Sequence, residues 1–444
     1  MSTTHAQPAF QPRIRPSGSG DQHVTPGDIS IGVVIGRVTG FFDFFVFGIA
    51  CVLVFPQVFF PFASTLDGTF YSFAIFALAF IAQPLGSLFF LPLQRDHGRG
   101  AKLTVALLML GTATVLIALL PGYETWGWVA IVALAVLRFV QGFAIGGSWN
   151  GLASLLALKA PRERRGWYAS IPQLGAPVGF IIAAGLFAYL WSSLSAEDFI
   201  GWGWRYPFFV AFAVNVVALF ARLRLVVSPE YEKQMDERDL DPSPVGELVR
   251  TQGKSIVLGA FAPLASYALF HLVTIFALSW ALLFTEQSPV SFLLVQIVGA
   301  LIAMPCMLLS GRIADRLGRR RTLALFAVLI AIYSGWTPLM LAGGVTQSYI
   351  FIIVGFALLG FSHGQSAGAV SSSFASAFRY TGARITSDLA WLIGAAFAPL
   401  VALSLAVWFG VGYVGLYLLS GAVCTLGAIW ISRRMGGLPN ENGQ

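Results

Sequence analysis

The sequence predicts an all-α membrane protein with twelve transmembrane helices in two pseudo-symmetric six-helix bundles. Three observations carry this prediction: the composition, the number of long apolar runs and a polar stretch near the middle of the chain. The 444 residues are 57% hydrophobic and only 11% charged, with a mean hydropathy of +0.77. A soluble surface needs more charge than this. We therefore assign the net charge of +7 to loops beside a membrane, and we expect no nucleic-acid partner.

Apolar runs recur along the chain at the length that a helix needs to cross a bilayer, about 20 residues. Between them lie short connections that hold most of the charged and turn-forming residues. The twelve predicted spans are 31–55, 69–93, 103–121, 127–155, 167–191, 205–225, 255–284, 289–311, 322–343, 347–372, 384–407 and 409–432.

The connections between the runs alternate in charge. One set holds nearly all of the Lys and Arg, and we call its side the basic end: 94–102, 156–166, 226–254, 312–321 and 373–383. The other set carries acids, and we call its side the acidic end: Asp67, Glu124, Glu197–Asp198 and Glu286. Because basic loops stay in the cytoplasm, this bias and the even number of spans predict that both termini are cytoplasmic.

The polar stretch Ser228–Lys254 divides the chain into six runs and six runs. Gly98-Arg99 follows the second run as Gly318-Arg319 follows the eighth, at an offset of 220 residues, so the halves echo each other. We predict a disordered cytoplasmic tail at 1–28, an N-terminal bundle at 29–227, a cytoplasmic linker at 228–253, a C-terminal bundle at 254–434 and a cytoplasmic tail at 435–444.

A charged turn at Gly311–Thr322 lies between two apolar runs, and its arginines cannot rest in hydrocarbon. Gly311 and Gly318 allow a tight reversal there. The pattern from Gly311 to Arg320 resembles the loop between the second and third helix of each half in the major facilitator superfamily. The resemblance implies two rocking bundles, with gating residues at the basic end: Arg95, Asp96, Arg99, Asp315, Arg316, Arg319 and Asp388.

The first-half loop has the opposite charge order from the family pattern, because Arg95 stands where the family has its Asp. That family Asp faces the start of the eleventh span, where this chain carries Asp388. We therefore predict a latch of swapped polarity between Arg95 and Asp388. The alternative is that Asp388 only caps its helix. The second-half counterpart would place Asp315 against the start of the fifth span.

Asp43 is the one carboxylate well inside the first run, about 18 Å from its start at the rise of an α-helix. The residues around it, 36–48, resemble the first span of the metabolite:proton symporter branch of the superfamily, although Gly40 replaces the acid typical of that branch. Charge inside a bilayer costs about 3 kcal/mol or more. Two interpretations stay open: Asp43 takes part in proton coupling or gating, or it forms a static ion pair that holds helices together.

Arg138 and Gln141 lie three residues apart in the fourth run and share a helix face. Residues 137–147 match the superfamily pattern for that span. The pair would present a cation and an amide to an anionic substrate. The alternative is that Arg138 only neutralises Asp43.

Three further residues are candidates for lining the route. Arg37 is shallower than Asp43, so it is a candidate for substrate binding that could also extend to the interface. His363 lies in a polar part of the tenth run, and His271 lies in the seventh. A lone histidine in a span is more often a packing residue, and that alternative stays open for both.

The resemblance implies a secondary transporter and not an enzyme. Its leading form is proton-coupled uptake of a small polar or anionic metabolite, of the carboxylate or compatible-solute type, in the plasma (inner) membrane. We expect substrate, proton and lipid bilayer as partners, no cofactor or metal, and a functional monomer. The alternative is a proton-coupled efflux antiporter, although Phe180 replaces the proline of the antiporter pattern. A non-transporting receptor or a membrane enzyme is a remote alternative.

Overall fold

The computed structural model describes residues 26–148, 156, 160–226, 243–371, 374–375 and 378–434. Every regular element in this part of the chain is helical. The helical segments are Pro26–Leu53 (span 1), Thr65–Leu119 (spans 2 and 3), Trp128–Ser148 (span 4), Arg165–Ser193 (span 5), Tyr206–Val226 (span 6), Leu264–Phe284 (span 7), Pro289–Leu317 (span 8), Arg319–Ala342 (span 9), Val345–Ser371 (span 10), Arg379–Trp408 (span 11) and Gly412–Arg434 (span 12).

Eleven segments of the described residues are long and apolar enough to cross a membrane. One of them, Thr65–Leu119, has 55 residues and is about 80 Å long, which exceeds the hydrocarbon core of about 30 Å. It bends back at Gly98, where φ is 83°. This segment therefore supplies two spans, and the predicted count of twelve is confirmed.

The two short turns at the basic end use the same backbone conformation. Gly98 and Gly318 both have a φ of 83°, which favours glycine because a Cβ would clash there. The prediction that Gly311 belongs to the turn was wrong, since the helix Pro289–Leu317 continues through it. A Cβ on Gly311 would lie 2.8 Å from the backbone of Trp167, so this glycine permits close packing of spans 5 and 8.

Other glycines bring spans together within the first half. Gly142 and Gly146 of span 4 lie against the backbone of span 2, and Gly175 and Gly179 lie against span 1. An added Cβ at any of the four would be closer than van der Waals contact to backbone atoms of the neighbouring helix. Close helix approach at small residues is the usual packing mode in membranes, and it fixes the position of spans 1, 2 and 4 around the site described below.

Three of the spans are interrupted part-way along their length, and the interruption in span 7 is fully buried. Span 5 contains the 3-10 turn Ile171–Leu174, span 7 contains the π-turn Leu272–Phe276, and span 11 is broken between Gly394 and Ala398. The side-chain amide of Gln296 in span 8 donates to the backbone carbonyls of residues 273 and 274 in the π-turn of span 7, at 2.8 and 2.7 Å. A side chain thus satisfies backbone oxygens that the π-turn releases.

The predicted domain division stays a prediction. Both predicted tails lie largely outside the described residues, as does the linker up to residue 242. The helix Val245–Phe261 begins inside the predicted linker and is kinked at Gln252. The membrane-length apolar helix of span 7 begins only at Leu264, nine residues after its predicted start at 255.

Candidate substrate cavity and charge network

A cavity of about 150 Å³ lies in the half of the bundle nearer the basic end, between spans of both halves. Three arginines are among its lining residues, and none of these residues is acidic. Seventeen of its twenty lining residues belong to the first half: Gly32, Val33, Gly36, Arg37, Thr39, Gly40, Phe41, Phe44, Ala79, Phe80, Gln83, Leu107, Leu110, Arg138, Ile145, Ser148 and Asn215. The second half supplies Arg384, Ser387 and Trp391.

Asp43 lies behind the cavity wall in a buried hydrogen-bond network, with 1% of its surface exposed. The Thr114 hydroxyl donates to one carboxylate oxygen at 2.5 Å. The Gln141 amide donates to the other at 3.4 Å and to the Thr114 hydroxyl at 2.8 Å. Arg138 donates to the Gln141 carbonyl oxygen at 3.1 Å. The structure thus brings Asp43, Arg138 and Gln141 together, and the amide of Gln141 connects the two charges.

Arg138 is buried among aromatic rings. Its guanidinium lies 4.0 Å from the ring centre of Phe47 and 5.0 Å from that of Phe76, and its Nε donates to the Phe76 carbonyl at 3.4 Å. Cation–π contacts of this kind stabilise a desolvated cation by about 2 kcal/mol. Arg138 is therefore enclosed by aromatic rings beside the cavity, and its hydrogen bonds go to a carbonyl and an amide oxygen.

Arg37 points into the bundle, so the expectation that it extends to the interface was wrong. Its Nη2 donates to the Gln173 side-chain oxygen of span 5 at 3.0 Å, and its guanidinium lies 5.3 Å from the ring centre of Phe41. The reason is packing: Gly175 allows span 5 to approach the backbone of span 1 at Arg37, and Gln173 of span 5 then accepts the hydrogen bond from the guanidinium.

The predicted latch between Arg95 and Asp388 is not formed, and this prediction was wrong. Arg95 lies 3.6 Å from its neighbour Asp96, and the two side chains are 62% and 60% exposed. Asp388 is 2% exposed and accepts a hydrogen bond from Gln83 at 2.8 Å. Since Gln83 and Arg95 are twelve residues apart on span 2, the two sites are about 18 Å apart along the helix.

Arg384 is a functional candidate that the sequence analysis missed. It forms an ion pair with Asp388 of its own span at 3.1 Å. Across the interface between the halves it donates to the Ser87 hydroxyl at 2.8 Å and to the Gly146 carbonyl at 2.9 Å, while Ser87 also donates to Asp388. The i,i+4 spacing of the two charges was the available signal. The ion pair was overlooked because both residues stand at the predicted start of a span, where charged side chains are expected to meet water.

A second group joins the halves beside the first-half turn. Lys102 of span 3 donates to the Gln94 side-chain oxygen at 2.7 Å and to the Tyr380 hydroxyl at 3.0 Å. Tyr380 of span 11 donates to the same Gln94 oxygen at 2.7 Å. The contact with the start of span 11 that was expected of Arg95 is thus made by Gln94 and Lys102, which lie beside the same turn between spans 2 and 3.

Asp315 lies where the sequence placed it, at the start of span 5. Its carboxylate accepts from the backbone amides of Gly166 at 2.6 Å and Trp167 at 3.2 Å. A carboxylate at a helix N-terminus is favoured by the unpaired amides and by the helix dipole. This contact also joins the two halves, while the gating role of Asp315 stays a prediction.

The remaining predicted gating residues surround the two turns. Arg316 and Asp96 are exposed, Arg99 is half-buried, and Arg319 is buried at the first residue of span 9. None of them lies on the cavity. Their roles in gating stay predictions.

The histidines and Gln141 do not line the cavity. Nδ1 of His363 lies 3.4 Å from the Ser266 hydroxyl, and its ring packs near Phe270 and Trp391. His271 is fully buried among aromatic rings. The aromatic side chains Phe44, Phe80 and Trp391 of the cavity lining lie against the two histidines. A role of either histidine in substrate binding stays a prediction.

The model of the Major Facilitator Superfamily matches residues 33–387. The chain is 35% identical to the inner membrane metabolite transport protein YhjE of Escherichia coli over 428 residues, which cover 93% of this chain and 96% of that protein. It is 32% identical to the shikimate transporter of Escherichia coli over 409 residues, with coverage of 89% and 91%.

Solved structures agree with this fold. The chain superposes with a TM-score of 0.70 on the proton:xylose symporter XylE, at 16% identity and with 94% of this chain and 97% of that chain covered. It superposes with a TM-score of 0.69 on a partially occluded inward-open conformation of XylE from E. coli, at 17% identity and with coverage of 91% and 99%. From the extent of the family match and of the relatives, we conclude that this chain is a membrane transporter, not an enzyme, and belongs to the major facilitator superfamily.

Proposed function

We propose that this protein is a proton-coupled symporter that takes up a small anionic metabolite by alternating access. The observation that carries the proposal is the cavity itself, which is lined by Arg37, Arg138 and Arg384 and by no acidic residue. Guanidinium groups bind carboxylates with two parallel hydrogen bonds. Relatives named as metabolite, shikimate and proline/betaine transporters support the choice of a small carboxylate or compatible solute.

In this proposal Asp43 carries the proton. A carboxylate held by Thr114 and Gln141 keeps hydrogen-bond partners in its ionised form. Since Gln141 also contacts Arg138 at the cavity wall, a change in substrate occupancy reaches Asp43 through one side chain. Arg37 and Arg138 bind the substrate, Gln141 positions Arg138, and His363 supports the wall.

The basic end is proposed as the gate. Asp315 holds span 8 to the start of span 5, and Asp388 together with Arg384 holds span 11 to spans 2 and 4. These contacts must separate for the cavity to open towards the basic end. The exposed Arg95, Asp96 and Arg316 would then act at the membrane surface.

We further propose that the protein resides in the inner membrane with both termini in the cytoplasm, and that one copy of the chain is a complete transporter. The positive bias of the connections at the basic end supports the orientation. A cavity enclosed between the two halves of a single chain is what a transporter that acts as one copy requires.

The proposal is tested in vesicles that contain the purified protein. Labelled shikimate, proline and glycine betaine are added together with an internal pH dye, and uptake of the transported solute is expected to acidify the lumen. Asp43→Asn is expected to abolish this acidification. The matched control Glu124→Gln changes an exposed acid at the acidic end and should leave it intact. Acidification that persists in Asp43→Asn would remove Asp43 from the mechanism, and alkalinisation during uptake would indicate exchange with protons.

A further inference from the structure

We propose that Arg37 selects the substrate by its charge, and that the substrate is a monoanion with a flat apolar body. This rests on the proposed symport of an anion and names the substrate class. The argument depends on which cavity cations already have a carboxylate, on the shape of the remaining wall, and on the charge moved in each cycle.

The three cavity cations differ in their partners among the described residues. Arg384 forms an ion pair with Asp388 at 3.1 Å, and Arg138 reaches Asp43 through Gln141. Arg37 is different, because its hydrogen-bond partner is the neutral side chain of Gln173. Three cations thus face two carboxylates, and Arg37 is the positive charge that remains.

One surplus positive charge sets the charge of the ligand. While Asp43 is ionised, a monoanion neutralises the site, whereas a dianion leaves a surplus negative charge and a zwitterion leaves the positive charge in place. An uncompensated charge in a desolvated site is strongly unfavourable. The cavity therefore discriminates by net charge as well as by shape.

The rest of the wall suits a flat apolar group. Phe44, Phe80 and Trp391 line the cavity with adjoining rings. The rings of Phe80 and Trp391 are nearly parallel, with an interplanar angle of 18° and centroids 6.2 Å apart. A cavity of about 150 Å³ holds a six-membered ring. A ring on this wall would direct its carboxylate towards Arg37, whose own face is held against Phe41.

The charge count also predicts the electrical character of transport. If one monoanion binds at Arg37 and one proton binds at Asp43, the loaded and empty carriers have the same net charge. Uptake is then electroneutral and is driven by the pH gradient alone. A dianion or a zwitterion carried with one proton would move net charge and respond to the membrane potential.

The binding test uses four probes built on small rings: cyclohexanecarboxylate, trans-cyclohexane-1,4-dicarboxylate, proline betaine and the neutral cyclohexanecarboxamide. Dissociation constants come from ligand-dependent thermal shifts of the purified protein in nanodiscs. We expect cyclohexanecarboxylate to bind at least about tenfold more tightly than each of the others. Equal or tighter binding of the dicarboxylate, the betaine or the amide, or binding of none of the four, overturns the inference.

Variants then show whether Arg37 is the cause. Arg37→Gln should remove the preference for the monoanion over the amide, and Arg37→Lys should restore most of it. The matched control Arg433→Gln removes an exposed cation of span 12, outside the cavity, and should leave this preference unchanged. An unchanged preference in a folded Arg37→Gln protein overturns the assignment.

A transport assay distinguishes a failure of this inference from a failure of the proposed function. In vesicles with a fixed pH gradient, uptake of the monoanion should not change when a potassium diffusion potential of about 100 mV is imposed. If uptake of some solute drives proton entry but that solute is not a monoanion, or if uptake follows the potential, only this inference fails. If no solute drives proton entry, the symport proposal itself fails.

Discussion

At the scale of single residues, the connection between Asp43 and Arg138 is an amide and not an ion pair. Gln141 accepts from the guanidinium and donates to the carboxylate, and Thr114 supplies the shortest bond to that carboxylate. A direct ion pair would hold both charges in one arrangement. In the proposed mechanism, the bridged arrangement lets Asp43 exchange its proton while Arg138 stays among its aromatic rings.

The Thr114 hydroxyl can be tested separately from the size of the side chain. Thr114→Val removes a hydrogen bond to a buried carboxylate, an interaction that contributes about 1.5–3 kcal/mol. We expect the initial rate of proton-coupled uptake to fall about tenfold or more. Thr114→Ser keeps the hydroxyl and serves as the control. Equal rates in the two variants would show that the hydroxyl has no part in coupling.

The ion pair of Arg384 and Asp388 predicts an asymmetry between single and double variants. Arg384→Gln or Asp388→Asn alone leaves a buried charge without its partner, which costs about 3–5 kcal/mol. The double variant removes both charges, so its thermal unfolding midpoint should lie above those of both single variants. Unfolding midpoints in nanodiscs test this. Additive losses in the double variant would mean that the two residues act independently.

Asp43 and Arg138 could be identified from the sequence, because a single charged residue in a long apolar run is costly to bury and therefore indicates a function. The structure places both in one hydrogen-bond network. Sequence reasoning missed Arg384 and misplaced the partner of Asp388. These residues lie near the end of a predicted span, where a charge is expected to meet water. Only the packing of span 11 against spans 2 and 4 shows that they are buried.

At the scale of helices, spans 5 and 8 meet through two glycines. A Cβ on Gly166 would lie 2.5 Å from the Gly311 carbonyl oxygen and 2.8 Å from the Asp315 carboxylate. This interface joins the two halves of the protein, so we expect it to separate when the cavity opens towards the basic end. A side chain here acts on the balance between closed and open arrangements.

Gly166→Ala is therefore expected to weaken closure at the basic end. We expect a lower unfolding midpoint and a severalfold lower uptake rate, because the added methyl group must push span 8 away or displace Asp315 from the helix start. Gly185→Ala lies on the same span with open space around it and is the matched control. Similar behaviour of both variants would contradict the role of this contact.

The helices themselves could be predicted from the length of the apolar runs, because a helix of about 20 residues crosses the bilayer with all its backbone hydrogen bonds satisfied within the segment. Their ends were less predictable. Span 8 continues to Leu317, past its predicted end at 311, because the charged residues of the turn remain helical beyond the apolar run. The π-turn in span 7 left no signal in hydropathy, because the residues that form it and Gln296, which compensates it, lie on different spans.

At the scale of the whole molecule, the two halves touch at both ends. The basic end is joined by the polar contacts described above, and near the acidic end the rings of Phe70 in span 2 and Trp408 in span 11 stack with centroids 6.0 Å apart. Alternating access requires that one set of contacts opens while the other stays closed. The equal turns at Gly98 and Gly318 confirm the pseudo-symmetry that the 220-residue offset predicted.

Cross-linking tests this requirement. Cysteines at Phe70 and Trp408, joined by a short cleavable bis-maleimide in a background without native cysteines, should stop uptake until the linker is reduced. Cysteines at Phe62 and Trp128 are the control, since those rings lie 5.2 Å apart within the first half. Cross-linking of this control pair should leave uptake intact. Continued uptake through a fully linked Phe70–Trp408 pair would rule out rocking of the halves at this contact.

The unequal division of the cavity lining has a consequence for how such carriers diversify. Seventeen of the twenty lining residues come from the first bundle, so recognition is inherited mainly with that part of the gene. The second bundle contributes one cation, one hydroxyl and one indole to the lining. A chimera that joins the first bundle of this protein to the second bundle of a relative should keep the solute preference of this protein.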